Sequence, residues 1–194
     1  MSSPLDRILI DAAEIGAVNV VKAAIQDGAN VNAVANHSTA LYKAVCGEYA
    51  GIVQTLLENG AKSDKPRLLI AAAKRKDIET LGLLLDAGVD INAQDPESEG
   101  TTALMICRDE ETTRFLIKRG ADVNIVRRDK STALMFAIGD LNLELVKLLV
   151  ENGADLFCDS ESRDALAFAA STQVRHPEII KFLVDKMFSS AEVS

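Results

Sequence analysis

Tryptophan is missing from this chain of 194 residues, and aromatic residues of all kinds make up 4% of it against 48% apolar residues. That poverty of rings argues against a bulky core. It suits thin layers of Ala, Leu, Val and Ile, whose small side chains let helices approach closely. Cysteine occurs only as Cys46, Cys107 and Cys158, an odd count with no Cys-x-x-Cys pair, so spacing suggests neither a disulfide framework nor a zinc site. No apolar run approaches the ~18 residues of a membrane span, and the opening MSSPLDRILID lacks a basic stretch followed by a long apolar one. These absences predict a reducing compartment, the cytoplasm, and no membrane partner. Positive charge is also scarce: 21 Lys and Arg face 29 Asp and Glu, a net charge of -8. A general nucleic-acid surface needs the opposite sign, so a protein is the expected partner.

What the chain does have is a recurring phrase. It reads AAIQDGANVN up to Asn32, LLENGAKSD up to Asp64, LLDAGVDIN up to Asn92, LIKRGADVN up to Asn124 and LVENGADLF up to Phe157. The glycines of the phrase, Gly28, Gly60, Gly88, Gly120 and Gly153, follow one another at steps of 32, 28, 32 and 33 residues. A period of that size marks a repeat protein, in which each unit buries its apolar face only by stacking on its neighbours. No Pro/Ser/Gly-rich linker interrupts the pattern, so one continuous domain is expected. Its units fall at about 4–33, 34–62, 63–93, 94–125, 126–156 and 157–188, with 189–194 as a tail.

Each unit resolves into two helices. Thr39-Ala40-Leu41, Thr102-Ala103-Leu104, Thr132-Ala133-Leu134 and the variant Asp164-Ala165-Leu166 place a side-chain oxygen before an apolar run, the signal of a helix N-cap. The second helix of the fifth unit, Leu143 to Glu151, spaces Leu145, Val146, Leu148 and Leu149 along one face, and Gly153 then supplies a left-handed C-terminal cap. Ser3-Pro4 reads as N-cap followed by proline at the first helical position. Pro177 is expected to start the last helix.

These residues resemble the ankyrin repeat, a family with a period of about 33 and a T-P-L-H-x-A phrase. Here Thr132-Ala133-Leu134-Met135-Phe136-Ala137 stands in that place, with Ala for Pro and Met for His. The Thr-Ala-Leu-Met wording is similar to that of microbial members. The distances Leu9 to Gly28, Leu41 to Gly60, Leu69 to Gly88 and Leu134 to Gly153 are each 19 residues, so two anchors recur in fixed relation. The resemblance implies an all-α fold: an ankyrin-repeat solenoid of stacked helix-turn-helix units with short hairpin fingers.

Departures individualise the chain. Leu104 to Gly120 spans only 16 residues, about one helical turn short, so the fourth helix pair should be reduced around Cys107 to Glu110. The link from Gly60 to Leu69 is 9 residues against 13 for Gly28 to Leu41, which predicts a truncated finger. The link from Gly88 to Leu104 is 16 and contains QDPESEG, which predicts a protruding acidic one.

No catalytic set converges by spacing. His37, Ser38, Cys46 and His176 are the candidates for hydrolysis, yet His37 falls in a polar finger, Ser38 and Thr39 suit helix initiation, and Cys46 lies near a helix end. Glycines recur at the repeat period, with no phosphate-binding loop, and no cofactor or metal is expected. The resemblance implies binding through finger tips and the groove of the first helices. Mapped residue by residue, the contact candidates are Asn36, Ser38, Lys65, Lys74, Arg75, Arg108, Arg127, Arg128, Lys130, Asp140 and Arg163. With Arg67 and Lys76, the seven cations from Lys65 to Lys130 form a basic strip that suits an acidic patch on a protein partner, while Asp109, Glu110, Asp129 and Asp140 lie close enough to neutralise part of it. The expected role is a non-catalytic adaptor or scaffold, monomeric when free. The alternative is a small inhibitor, such as an immunity or antitoxin protein, that covers a partner enzyme; an enzyme is the remaining class.

Overall fold

A threonine or serine oxygen opens four of the helices that begin a repeat. In the computed structural model, which describes residues 3–62, 65–157, 165–171 and 176–189, the Thr39, Thr102 and Thr132 side chains accept from the backbone N–H three residues on. Ser3 does more: its hydroxyl accepts from Asp6 N–H while the Asp6 carboxylate accepts from Ser3 N–H, a reciprocal capping box ahead of Pro4. One other helix with a described N-cap breaks the rule. Lys65 stands at its N-cap, with no side-chain cap.

The helices so started are α1 (Pro4–Glu14), α2 (Val18–Gln26), α3 (Ala40–Cys46), α4 (Ala50–Glu58), α5 (Pro66–Arg75) and α6 (Ile78–Asp86) in a first compact unit, residues 1–93. The second unit, 94–194, carries α7 (Ala103–Ile106), α8 (Glu110–Lys118), α9 (Ala133–Gly139), α10 (Leu143–Glu151), α11 (Ala165–Ser171) and α12 (Pro177–Ser189). Each unit has two layers. In the first, α1 packs on α3 and α3 on α5, while α2 packs on α4 and α4 on α6; in the second, α7, α9 and α11 form one row, and α8, α10 and α12 the other. The expected all-α, two-helix repeat is therefore what is built in both units.

The repeated leucines are the core. Leu9, Leu41 and Leu69 of the first row and Ile52, Leu56, Leu81 and Leu84 of the second are almost wholly buried in the first unit, as are Leu104, Leu134, Leu116 and Leu148 in the second. Each such side chain contributes about 1.5–3 kcal/mol of transfer free energy. Between them lie Ala12, Ala13, Ala40, Ala44, Ala72, Ala73, Ala103 and Ala137, also buried. They replace the missing rings and keep the layers thin.

Two kinds of turn close the repeats. After the second helix the phrase glycines Gly28, Gly60, Gly88, Gly120 and Gly153 all take φ between 83° and 94°, a left-handed cap that glycine adopts without penalty. Within the helix pair the chain also passes through the left-handed region, at Gly16 (φ 76°), Glu48 (61°), Lys76 (61°) and Leu141 (57°). Only the first of these is glycine. The fourth pair has no such residue: α7 is four residues long, Cys107 is extended (ψ 138°), and Asp109 caps α8 at once through its bond from Thr112 N–H. The missing turn leaves carbonyls open, and the Arg108 guanidinium donates to those of Met105 (3.1 Å) and Cys107 (3.2 Å).

Neighbouring repeats are stapled by asparagine. Asn32 Nδ2–H donates to the Gly60 carbonyl (2.9 Å), and its Oδ1 accepts from Lys62 N–H (2.7 Å). Asn124 repeats this on Gly153 and Asp155 with the same two distances. A turn residue therefore also fixes the spacing between repeats.

Candidate protein-binding surface

In the first unit the finger is as small as a hairpin can be. Ala35 and Ser38 exchange both backbone hydrogen bonds at 3.0 Å, with Asn36 (φ 50°) and His37 (φ 61°) between them. Positive φ at both central residues is the turn that matches strand twist, and Asn and His tolerate it better than most. Asn36 and His37 are consequently exposed at the tip, while Ser38 is half-buried and leads into the Thr39 cap.

Behind that tip lies a cleft of about 160 Å³ lined by Asn32, Val34, His37, Thr39, Tyr42, Lys62, Lys65, Arg67 and Leu68. Arg67 lies with its guanidinium carbon 4.9 Å from the centre of the Tyr42 ring, a cation–π arrangement. Burial and a hydrogen bond with the Cys46 thiol raise the Tyr42 phenol above its ordinary pKa, against the pull of Arg67. The phenol is therefore protonated at neutral pH. Further along α5, Lys74 and Arg75 are exposed in the last turn, and Arg75 reaches Glu48 at 3.2 Å across a solvent-facing gap.

The second unit treats its arginines differently. Arg108 pairs with Asp140 at 2.5 Å, and Arg127 pairs with both Glu99 and Asp129. The guanidinium carbons of Arg108 and Arg127 stand 5.7 and 5.5 Å from the centre of the Phe136 ring. One ring of α9 thus gathers two arginines, each held by carboxylates. Asp129 is kept below the usual carboxylate range: burial pushes its pKa up, and the Ser131 N–H and hydroxyl together with Arg127 outweigh that. Arg128 and Lys130 are exposed, Lys130 at φ 69° on the fingertip.

The acidic finger folds on itself rather than extending. Asp95 accepts from Glu97 N–H (3.2 Å) and from the Ser98 hydroxyl (2.6 Å) across a 3-10 turn, Pro96–Ser98, and Asp95 bridges to Thr101. Glu99 then offers its carbonyl to Arg128 N–H at 3.0 Å and its carboxylate to Arg127. Of the acids foreseen to neutralise the basic strip, Asp129 and Asp140 do so; Asp109 instead caps α8 and Glu110 pairs with Arg114 at 2.6 Å. Glu99 is the partner that sequence distance concealed. Arg163 lies outside the described residues.

Of the residues considered for hydrolysis, His37 sits at the hairpin tip and Cys46 ends α3 beside Tyr42. Cys107 is buried, and burial with the nearby charge of Asp109 pushes its thiol pKa up to about 12. It is an inert packing residue.

Stacked pairs of short helices, closed by glycine turns and projecting fingers, define a helical repeat protein whose side chains present surfaces. A family model described as "Ankyrin repeats (3 copies)" matches residues 68–156 and 107–193, and the chain belongs to the ankyrin-repeat family. It is 31% identical over 149 residues to the "Ankyrin repeat and KH domain-containing protein mask-1" of Caenorhabditis elegans, covering 76% of this chain and 5% of that protein. It is also 35% identical over 131 residues to the "Glycerophosphocholine phosphodiesterase GDE1" of Eremothecium gossypii, 63% of this chain and 10% of that one. With the "Nuclear factor NF-kappa-B p105 subunit" of Gallus gallus the identity is 29% over 152 residues, covering 70% and 15%. The chain thus spans between 5% and 15% of the length of these three relatives. Ankyrin repeats are in general protein–protein interaction modules and typically non-catalytic. No helix among the described residues is long and apolar enough to cross a membrane.

Proposed function

We propose that this chain is a non-catalytic adaptor of the cytoplasm, which holds a protein partner carrying an acidic patch against its finger tips and first helices. The observation that carries this reading is the outward display of cations in a chain of net charge -8: Lys65, Lys74 and Arg75 in the first unit and Arg128 and Lys130 in the second are exposed. A pre-formed surface reduces the ordering cost of association, and its charge sets encounter rate and register. Arg108, Arg127 and Asp140 group about the Phe136 ring on the same surface, while Asn36 and Ser38 shape the finger that meets the partner.

The test begins with co-purification and continues with kinetics on the captured partner. Arg75→Glu and Arg128→Glu are expected to lower the association rate constant about tenfold at low salt, with the difference closing as ionic strength rises. An unchanged rate and unchanged salt dependence would remove the basic surface from the contact. Capture of one stoichiometric enzyme whose activity is lost in the complex would replace the adaptor role with that of an inhibitor.

A further inference from the structure

Four of the eight large apolar side chains exposed among the described residues belong to the first helix pair and its turn: Ile8, Ile15, Val18 and Val20. Two of them occupy places that later repeats bury. Ile8 stands one residue before the repeated leucine Leu9, and Val20 eleven after it. Counted from Leu41, Leu69 and Leu134, the first place holds Ala40, Leu68 and Ala133, none more than 5% exposed, and the second holds Ile52, Thr80 and Leu145, none more than 2%. There the preceding helix pair covers them: α1 packs on α3, α3 on α5 and α7 on α9, and in the other row α2 on α4, α4 on α6 and α8 on α10. Ile8 is 48% and Val20 44% exposed. Ile15, at the C-cap of α1, continues the Ile8 stripe two turns on. The first pair thus presents, uncovered, the face on which this fold seats another helix pair, with isoleucine and valine where an end repeat ordinarily carries polar residues.

We propose that this face joins the first helix pair of a second copy of the chain, giving a symmetric dimer in place of the monomer expected from the sequence. A twofold contact uses the same surface on both copies, and the exposed side of α1 suits one. Arg7, Ile8, Asp11, Glu14 and Ile15 are all exposed, at the i, i+1, i+4, i+7, i+8 spacing of a single helix face. Set antiparallel to itself, α1 brings Ile8 of each copy opposite Ile15 of the other and Arg7 opposite Glu14, with Asp11 near the axis. The charges permit this approach. Lys43 of α3 binds Glu14 at 2.6 Å and also lies within the field of Asp11, so Arg7, Asp11, Glu14 and Lys43 sum to zero on each copy. The contact is therefore an apolar stripe with a neutral border, in a chain whose net charge of -8 otherwise holds copies apart. Val20 extends it onto α2. The inference goes beyond the adaptor reading and gives each assembly two partner surfaces.

Sedimentation of the whole chain over concentrations up to about 1 mM tests this, with a reversible monomer–dimer transition expected at about 100 µM or below. In a mixture of differently isotope-labelled copies, intermolecular contacts between the Ile8 and Ile15 methyl groups are expected. Ile8→Asp should weaken the dimer at least about a hundredfold. Ile15→Asp, at a site 73% exposed, reads the same surface if Ile8→Asp disturbs the fold. Arg7→Glu should weaken it about tenfold at low salt. Val34→Asp, the same change at an exposed valine of the first finger, should leave it unaltered. Four results overturn the proposal: the mass of one chain at every concentration, a mass that grows past two copies and so marks head-to-tail stacking, equal weakening by Val34→Asp and Ile15→Asp, or a dimer indifferent to Arg7→Glu. Partner association and its response to Arg75→Glu are measured separately, so the adaptor reading stands or falls without the dimer.

Discussion

The first unit sets its cations singly along the surface and the second gathers two arginines on one ring, although both are built from the same repeat. In the first, Lys65 and Lys74 are exposed and Arg75 meets Glu48 only at the surface. In the second, Arg108 and Arg127 converge on Phe136, with Asp140, Glu99 and Asp129 as counter-charges. The difference follows from two local substitutions. A phenylalanine stands on α9 at the place where α3 has Lys43, and the finger before α7 carries Glu99, which reaches Arg127 of the next finger. The same architecture thus spaces the cations of one unit and clusters two arginines on Phe136 in the other, and a basic count along the chain does not distinguish them.

The turn regions offer the strongest way to break the comparison. The Tyr49 ring lies against both Gly47 and Gly16, so that a Cβ added at Gly47 would come within 2.4 Å of a ring carbon and one at Gly16 within 2.6 Å. The ring would have to shift to admit the added methyl, and Gly47→Ala is expected to destabilise the chain by about 1–3 kcal/mol in denaturant unfolding. Gly139→Ala, at the end of α9, meets nothing within 4 Å and should be neutral or stabilising by up to about 1 kcal/mol. Equal effects would show that the two turns are packed alike.

Next in size are the asparagine staples, where the two units should agree. Asn32→Ala and Asn124→Ala each remove one donor bond and leave one backbone N–H without its acceptor. Solvent reaches both places, so each loss is expected at about 1–2 kcal/mol. A large loss for one and none for the other would mean that repeat spacing is held differently in the two units.

Smaller still is the effect of releasing Arg108. Asp140→Asn removes a partly exposed partner at 2.5 Å, which should cost less than about 1 kcal/mol in thermal or chemical unfolding. Its consequence is electrostatic: the second unit gains outward positive charge, and association with an acidic partner should quicken at low salt. A stability loss of several kcal/mol would instead show that the pair behaves as a buried one.

The least effect is expected from pH, and only in acid. Asp6 is held below the ordinary 3.8, first by the Asn30 N–H and then by the Ser3 N–H and hydroxyl, and Asp129 is likewise lowered in the second unit. A depressed carboxylate stabilises the fold above its unfolded pKa and loses that contribution as pH falls through the folded value. Both units should therefore be insensitive to these groups from pH 5 to 8, with loosening only below about pH 4. Amide signals of Asn30 and Ser131 followed through an acid titration check this, and loss of either signal near pH 6 would contradict it.

Much of the repeat was legible because its signals are local. Thr39, Thr102, Thr132 and Ser3 cap where their position before an apolar run says they should, Pro177 opens α12, and α7 is short where Leu104 and Gly120 stand too close. The inner turns were less legible, since Glu48, Lys76 and Leu141 occupy a left-handed backbone that only glycine advertises. Of the candidate contact residues, Asn36 and Lys130 could be placed on fingertips from spacing, yet nothing near Arg127 in sequence pointed to Glu99, 28 residues away.

The sequence by itself determined the unit, the helix starts, the left-handed glycine caps and the shortened fourth pair, because each depends on interactions within a few residues of backbone. Tertiary structure alone decided which cations stay outside, what Asn32 and Asn124 bind, how Tyr49 wedges between two glycines, and that Lys62, Lys65 and Arg67 share a cleft with Tyr42 and His37. Those outcomes join residues up to about one repeat apart. Stacking sets their distance, and distance sets whether a charge meets an acid, a ring or the partner.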